Sequence, residues 1–459
     1  MNSPQFGYCY RFACIALAIF CVTASAAEKP RLLVLTDIGG DPDDQQSLIR
    51  LLVHANEFEI EGLIASAAGT PGELKKETVM PELIREIVEA YGKVQPNLKK
   101  HHPDFPEAET LLKRIKVGNP VRGRESLGAD KDTEGSKWIV AAVDREDKRP
   151  LNIVVWGGST ELAQALWRVR NDRKPKELRA FLEKLRVYDI SHQDNTGPWI
   201  NQEFPDLFYV LSKAPKGKDK RDGGYRGMYL GGDESLTSRD WVDRHVRIER
   251  GPLGTRYPTA TWTAPNPHST LKEGDTPSWF YFLPVGLSSS QHPEWGCWGG
   301  RFRHESNGLF VDAADTVDKV TNARSTVSRW RAAYQNEFQA RMDWCVKGVK
   351  EANHPPVAVL SKNLSFDALQ LEAKPGEAAT LSASGSTDPD GNALFYRWYV
   401  YREAGTYEGE VKIENADKME AKISLPAEAK GKSIHVILEV TDDGTPKLTR
   451  YRRAILSVR

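Results

Sequence analysis

The side chains best suited to chemistry in this sequence are four aspartates in the stretch RLLVLTDIGGDPDDQQSLIRLL, residues 31–52. They are Asp37, Asp41, Asp43 and Asp44. The order of residues predicts a short buried strand, a glycine turn and a helix whose first turn is acidic. One aspartate is enough to cap a helix, whereas four converging carboxylates repel one another and lose hydration. A hard cation would offset that cost, so the spacing favours a calcium or magnesium site over a solvated acidic turn.

A second polar group follows the predicted strand 185–190. This loop contains amides, a carboxylate and aromatic rings, in the residues His192, Gln193, Asp194, Asn195 and Trp199. Sugar recognition uses such a mixture, because amides and carboxylates bind hydroxyl groups and an aromatic face covers the ring. We therefore predict that Asp194, Asn195 and Trp199 bind substrate, with a plain polar loop as the alternative. His192 is predicted to be structural.

The segments that would position these side chains alternate between strand and helix from residue 31 to about residue 350. Strands are predicted at 32–35, 58–65, 151–156 and 185–190, and helices at 81–91, 107–117, 133–143 and 325–349. This alternation favours an α/β fold with a mostly parallel sheet flanked by helices. Ligands bind such sheets at the carboxyl ends of the strands. The lysine-rich segment 215–222 is predicted to be a solvated linker or a hairpin tip.

A different pattern begins after the Asn-His-Pro-Pro run at 353–356, which is typical of a linker. Short alternating strands are predicted at 379–383, 395–401, 421–425, 434–441 and 453–458. The pattern resembles the immunoglobulin-like or PKD-type β-sandwich modules that are appended to extracellular bacterial enzymes. We therefore predict an α/β domain at 27–352 and a small β-sandwich domain at 353–459.

Residues 1–26 have the pattern of a secretion signal. Arg11 precedes the apolar run 12–22, which is too short to span a bilayer, and the small residues 24–26 suit cleavage. The mature protein is therefore expected to be secreted or periplasmic, with no membrane partner after cleavage. Only Cys297 and Cys345 remain after the signal, and they could form a disulfide in an oxidising compartment.

The overall charge excludes one class of partner. There are 63 lysines and arginines and 63 aspartates and glutamates, so the formal net charge is zero and bulk attraction to nucleic acid is not expected. At 40% hydrophobic residues the composition is that of a soluble globular protein. The sequence leaves the oligomeric state open.

The acidic stretch resembles the amino-terminal signature of the nucleoside hydrolases, in which a strand leads into an aspartate-rich turn that ends in Asp-Asp. Those enzymes bind calcium there, coordinate a water molecule with it and break N-glycosidic bonds. The run VLTDIGGDPDDQQSLIRLL is more similar to a secreted bacterial branch of that superfamily, described as cellulose-binding with a nucleoside hydrolase-like domain. Aligned to the family pattern DxDPGxDD, the first aspartate falls on Asp37 and the second, a metal ligand and proposed base, falls on Gly39. Either Asp37 or Asp41 takes that role, or the role is missing.

The same resemblance implies the other site residues. Residues 157–163 overlay the family's GPLTNIA run, so Thr160 matches a threonine whose backbone carbonyl ligates calcium; Ser159 or Thr160 could also cap the following helix. Asp275 matches a late calcium ligand, but Gly274 stands where the family has a histidine that helps the leaving base. The implied metal ligands are Asp37, Asp44, Thr160 and Asp275. The implied catalytic residues are Asp37, Asp41 and Asp43, and Asp43 is also expected to bind the sugar hydroxyls. Candidates to replace the histidine are His292, Glu294 and Trp295.

Two functions are consistent with these observations. The first is a secreted calcium-dependent hydrolase of N-glycosidic or related glycosidic bonds, acting on a small sugar or nucleoside-like substrate. The second is non-catalytic binding of cellulose or another polysaccharide on a nucleoside hydrolase scaffold, which the missing histidine and the sandwich domain favour. The acidic cluster favours hydrolysis, because polysaccharide binding alone does not require four aspartates around an ion.

Overall fold

A mostly parallel sheet of eight strands forms the centre of the larger part of the protein. The computed structural model describes residues 28–70, 72–260, 270–287 and 290–459. The predicted secretion signal lies outside these residues. The strands of the sheet are β1 (Arg31–Thr36), β2 (Glu59–Ala65), β3 (Ile115–Val117), β4 (Leu151–Val155), β5 (Leu185–Ile190), β6 (Tyr209–Ser212), β7 (Phe302–Ser306) and β8 (Leu309–Asp312).

The strands lie in the order β3-β2-β1-β4-β5-β6-β8-β7. The pairs between β3 and β8 are parallel, and β7 pairs with β8 in the antiparallel direction. Every residue of β1 and β4 is buried, as expected for central strands that are covered on both faces. These features confirm the predicted fold class.

Twelve α-helices accompany the strands in the described part of the chain. They are α1 (Asp43–Leu52), α2 (Pro81–His101), α3 (Ala108–Lys113), α4 (Glu134–Asp144), α5 (Thr160–Asp172), α6 (Pro175–Glu183), α7 (Thr196–Glu203), α8 (Arg239–Val242), α9 (Gly251–Thr255), α10 (Thr276–Phe280), α11 (Ser325–Ser328) and α12 (Arg331–Trp344). Helices α1 and α2 pack in one apolar cluster, and α4 to α7 pack in another with the opposite side chains of β1 and β4. None of the helices in the described part is both long and apolar enough to cross a membrane.

Two of the predicted helices are interrupted in the structure. The segment 107–117 contains α3 and then β3, because the branched residues Ile115 and Val117 pair with Leu63 and Ala65 at the edge of the sheet. The segment 325–349 is divided into α11 and α12 near Trp330, whose indole N–H donates to the carbonyl of Thr326 (3.1 Å). Pairing with β2 therefore overrides the helical pattern in the first segment, and the second break lies where the ring of Trp330 packs against those of Tyr401 and Tyr451.

The carboxyl-terminal part consists mainly of strands. After a hairpin of β9 (Asp315–Val317) and β10 (Val320–Asn322), its strands are β11 (Leu369–Ala373), β12 (Ala378–Ser382), β13 (Leu394–Val400), β14 (Ile413–Glu414), β15 (Glu420–Ser424), β16 (Ser433–Asp442) and β17 (Thr449–Val458). One sheet has the order β11-β17-β16-β13 and the other β12-β15-β14. Trp398 and Val436 of the first sheet share a core with Leu381 and Ile423 of the second. The two sheets thus form the predicted small sandwich; its immunoglobulin-like identity and the boundary at 352 stay predictions.

The sandwich packs directly against the α/β part. Tyr451 of β17 belongs to the large apolar cluster and its ring centroid lies 5.4 Å from that of Trp330. The guanidinium of Arg450 donates to both carboxylate oxygens of Glu337 on α12 (2.8 and 3.0 Å). Both apolar contact and a buried ion pair therefore join the two parts.

The two cysteines in the described residues do not form the disulfide that the sequence allowed. Cys297 and Cys345 are both buried thiols. Cys297 lies in a tight turn that pairs with Gly300, whereas Cys345 ends α12 with its Sγ 3.6 Å from the carbonyl of Arg341. The disulfide interpretation is therefore wrong for this structure.

Candidate functional site

The acidic turn lies where the strand order reverses direction. β1 pairs with β2 on one side and with β4 on the other. A crevice opens beyond the carboxyl ends of the strands at such a switch point. Here it forms a pocket of about 500 Å³, and its acidic lining consists of Asp37, Asp41, Asp43, Asp44, Glu73 and Asp275.

Two glycines hold the acidic turn close to the loop that follows β2. Gly39 has φ +112°, a conformation that favours glycine, and a Cβ there would lie 2.3 Å from Met80 Sδ. A Cβ on Gly40 would lie 2.5 Å from the Cα of Gly69. An aspartate at position 39, where the related pattern has one, would therefore have a strained backbone and would displace the Met80 side chain.

Asp43, Asp44 and Asp275 form a group that could hold a metal ion. Each offers one carboxylate oxygen, and the three oxygens lie within 4.8 Å of one another. Asp43 and Asp44 begin α1, and Asp275 immediately precedes α10. Within the described residues, Asp275 Oδ2 is buried with no hydrogen-bond partner, which suits an oxygen that binds an ion. These hard oxygen donors fit Ca²⁺ or Mg²⁺.

Burial makes these carboxyl groups difficult to ionise together. Loss of hydration is the largest cause, and it raises the pKa of Asp43 to about 8 and the pKa values of Asp44 and Asp275 well above the usual range. Repulsion from the neighbouring carboxylates adds to each shift. The same burial raises the pKa of Asp37 only to about 6, because the positive charge of Arg122 opposes it. A bound cation would favour the ionised form of every member.

Arg122 fixes the position of Asp37. Its Nη2 lies 3.3 Å from Asp37 Oδ2 and donates to the carbonyls of Ala67 (2.6 Å) and Gly69. Arg122 belongs to the loop after β3, and no local pattern distinguishes it from the other arginines. Sequence reasoning missed this residue because only the pairing of β3 with β2 brings that loop to the acidic turn.

Two glycines after β4 leave space that is filled by carboxylates from other loops. A Cβ on Gly157 would lie 2.3 Å from Asp37 Cγ, and a Cβ on Gly158 would lie 2.4 Å from Asp194 Oδ2. The hydroxyl of Thr160 accepts from the N–H of Gly123 (2.8 Å) and donates to Asp194 Oδ2 (3.0 Å). The hydroxyl therefore does not cap α5, and the backbone carbonyl of Thr160 stays a predicted metal ligand.

The predicted sugar-binding residues lie apart from the acidic pocket. Asp194 accepts from the N–H of Thr196 (2.9 Å), and Asn195 Oδ1 accepts from the N–H of Arg124 (2.8 Å). Both line a neighbouring groove instead. Trp199 is 7% exposed and packs against the ring of Phe204 at 5.7 Å. Because its indole has no free face for a sugar, we leave Trp199 out of the candidate site.

His192, predicted to be structural, does line the acidic pocket. Burial lowers the pKa of His192 to about 4, so its ring is neutral at physiological pH. Its Nε2 lies 3.4 Å from Asp189 Oδ2, and its backbone has φ 52°. Neither feature assigns it a role in chemistry.

Other parts of the lining were not predicted. The loop 215–222 is exposed, as the prediction of a solvated segment requires, but most of it also borders the pocket, together with Lys213. The pocket also includes Tyr225, Arg226 and Tyr229, from a stretch with no clear pattern. The signal that could have found the loop is its place directly after β6, at the carboxyl edge of the sheet.

The residues suggested as replacements for the family's histidine are not part of this lining. His292 stacks on Trp295 with ring centroids 4.0 Å apart, and its Nδ1 lies 3.0 Å from Glu294 Oε1. Trp295 packs against His435 of the sandwich, at a centroid distance of 5.6 Å. These three residues thus lie at the junction of the two parts, so the suggestion is not supported. Position 274 does face the site, since a Cβ on Gly274 would lie 3.4 Å from Asp43 Oδ2.

Comparisons with known proteins agree with this architecture. A family model described as "Cellulose-binding Sde182, nucleoside hydrolase-like domain" matches residues 31–302, and one described as "Cellulose-binding protein Sde0182, C-terminal domain" matches residues 378–458. No curated protein matches the chain.

Solved structures give the same result. The chain is 34% identical to a nucleoside hydrolase-related hypothetical protein from Saccharophagus degradans that is associated with carbohydrate metabolism; the match covers 94% of this chain and 100% of that chain, with a TM-score of 0.80. A solution structure of the PKD domain from KIAA 1837 protein is 19% identical over 20% of this chain and 81% of that chain, with a TM-score of 0.16. The chain therefore belongs to the cellulose-binding Sde182 family, with a nucleoside hydrolase-like domain.

Proposed function

We propose that this protein is an exported hydrolase that cleaves a glycosidic bond of a sugar or nucleoside-like substrate with the help of bound Ca²⁺. The observation that carries the proposal is the group Asp43, Asp44 and Asp275, whose carboxylate oxygens lie within 4.8 Å of one another. The group lies in a pocket of about 500 Å³, which is large enough for a small ligand.

The residues of the chain have distinct roles in this proposal. Asp43, Asp44 and Asp275 would hold the ion, with Asp43 in place of the Asp37 that the resemblance implied as a ligand. The Thr160 carbonyl stays a predicted ligand. Bound Ca²⁺ would orient a water molecule and lower its pKa. Asp37 would take the proton, because its carboxyl has a pKa of about 6 and is ionised at neutral pH. Asp41 lines the same pocket and is the alternative proton acceptor.

The same carboxylates suit the sugar as its bond breaks. A glycosidic bond breaks through a state with positive charge on the sugar ring, which nearby carboxylates stabilise. Asp43 is the partly exposed member of the metal group, so it is the one best placed to contact the sugar hydroxyls as well. Tyr225 and Tyr229 form part of the pocket wall, with the guanidinium of Arg226 lying over both rings.

A second candidate function is carbohydrate binding without turnover. It is favoured by the description of the family as cellulose-binding and by glycine at position 274, where related hydrolases have the histidine that assists the leaving group. In this alternative the acidic pocket would hold an ion for stability, and cellulose would bind elsewhere on the surface.

Asp44→Asn separates the two functions. Asparagine has nearly the same shape, so the fold is kept while one charged oxygen of the metal group is lost. The matched control is Asp130→Asn, at an exposed aspartate outside the pocket. The measurements are the metal content of the purified protein, the release of reducing sugar from a panel of nucleosides and glycosides, and retention on cellulose.

We expect the parent and the control to contain Ca²⁺ and to release sugar, and Asp44→Asn to lose about a hundredfold or more of the turnover. Retention on cellulose should be unchanged in all three proteins. Calcium and retention without any turnover would support the binding function instead. A parent protein that contains no calcium when purified in its presence would refute the proposed metal site.

A further inference from the structure

We infer that the substrate carries an anionic group, a carboxylate or a phosphate, and that this group binds beside the lysine-rich loop of the acidic pocket. The inference rests on the proposed function and narrows its substrate class. Cations from one region of the chain line the pocket next to the aspartates: Lys213, Lys216, Lys218, Lys220 and Arg226. They follow β6, whereas the acidic residues come from other loops.

The loop does not neutralise its own charge. Asp219 and Asp222 are the two acids of this loop, and the carboxylate of Asp219 accepts from the guanidinium of Arg221 at 2.6 Å. Across the described ranges, no ion pair within 4.0 Å joins a carboxylate to any of the five pocket cations. The N–H of Lys218 donates to the carbonyl of Pro215 (3.0 Å), and this hydrogen bond closes a tight turn that contains Lys216. The loop therefore presents a positive charge that no neighbouring carboxylate neutralises by contact.

Arg226 is held in the pocket by neutral groups. Its Nε donates to the carbonyl of Lys220 (3.0 Å), its Nη1 donates to the hydroxyl of Tyr229, and its guanidinium lies 5.0 Å from the ring centroid of Tyr225. A guanidinium has five N–H donors, so these contacts leave donors for a ligand. Carboxylates and phosphates match the fork of an arginine, and lysines add long-range attraction.

The lysines could instead serve only to balance the aspartates. Two features argue against this. Arg226 attracts Asp43 only at longer range, since no salt bridge joins these two residues in the described part of the chain. The five cations also exceed the charge left to balance, because an ion bound by Asp43, Asp44 and Asp275 would offset two of the six acidic charges of the pocket and Arg122 pairs with Asp37. A neutral sugar would gain only ordinary hydrogen bonds from the lysines, whereas an anionic one would also be attracted by their charge and kept away from the aspartates.

The test compares ligand pairs that differ in one charged group, with binding measured by calorimetry in the presence of Ca²⁺ at low ionic strength. Glucose is compared with glucuronate for the carboxylate and with glucose 6-phosphate for the phosphate, and adenosine is compared with adenosine 5′-monophosphate. The test variant is Lys216→Gln with Lys218→Gln. The control is Lys430→Gln with Lys432→Gln, which removes two exposed charges from the sandwich.

We expect an anionic member to bind the parent protein about tenfold more tightly than its neutral partner. The preference should fall severalfold in the loop variant, stay unchanged in the control, and weaken as salt is added. A preference for glucuronate would identify the anionic group as a carboxylate, and a preference for the phosphorylated ligands would identify it as a phosphate. Equal affinity within every pair, absence of binding by every anionic member, or an equal preference in the loop variant would overturn the inference.

This readout separates the inference from the proposed function, because binding is measured without turnover. An anionic preference in a protein that hydrolyses nothing would keep the inference and reject the hydrolase. Turnover of neutral and anionic substrates at equal efficiency would keep the hydrolase and reject the inference.

Discussion

Replacing Asp43 with asparagine is expected to change the stability of the protein in opposite directions with and without a bound cation. In the metal-free protein, burial raises the pKa of Asp43 from 3.8 to about 8. A carboxyl with a raised pKa contributes its stability below pH 3.8 and loses that contribution as the pH rises through about 8. Asparagine stays neutral, so Asp43→Asn should stabilise the metal-free protein at alkaline pH. With Ca²⁺ present, the same change removes a ligand and should destabilise it.

The size of the effect follows from the pKa shift. A shift of about four units corresponds to roughly 5–6 kcal/mol as an upper limit. Asp43 is partly exposed and shares its repulsion with Asp41 and Asp37, so about 1–3 kcal/mol is expected. In a domain of this size that gain raises Tm by about 2–6 °C. In the presence of Ca²⁺ at about a hundred times its Kd, the parent gains about 2.7 kcal/mol from the ion, and the variant should lose most of this.

The assay is thermal unfolding followed by circular dichroism at about pH 5 and about pH 8.5, with a chelator or with Ca²⁺. Asp130→Asn is the control for loss of one negative charge at the surface. The reasoning is refuted if the metal-free parent becomes more stable between the two pH values, or if Asp43→Asn and Asp130→Asn shift Tm equally under all four conditions. Either result would mean that the carboxyl groups are not held together under electrostatic strain.

Two further predictions test the geometry of the site. Gly157→Ala places a Cβ 2.3 Å from the Cγ of Asp37, so Asp37 must move and turnover should fall by about tenfold to a hundredfold. Gly274→Ala should have little effect, because its Cβ contacts are at 3.4 Å. Steady-state kinetics of both variants test these expectations. Trp199→Ala should lower the free energy of unfolding by about 3–5 kcal/mol in denaturant titrations, because the indole is buried, and should leave ligand affinity unchanged. Lost affinity at unchanged stability would return Trp199 to the site.

Much of the fold can be read from local patterns. The branched apolar runs of β1, β4 and β5 and the alternation in β13, β16 and β17 are properties of neighbouring residues, and the structure confirms them. The errors fall where distant contacts decide. The segment around Ile115 becomes a strand because β2 offers it an edge, and the helix after Ser325 breaks near Trp330 where other segments pack against it.

The sequence by itself determined that an acidic turn follows a buried strand and that a late aspartate precedes a helix, because both features are local. Only the tertiary structure decided that Asp275 meets Asp43 and Asp44, that Arg122 holds Asp37, and that the lysine loop after β6 lines the same pocket. The tertiary structure also places the side chain of Trp199 in the core, away from the site. The physical reason is that parallel strands gather distant loops at one edge of the sheet, while the direction of each side chain depends on how its helix packs.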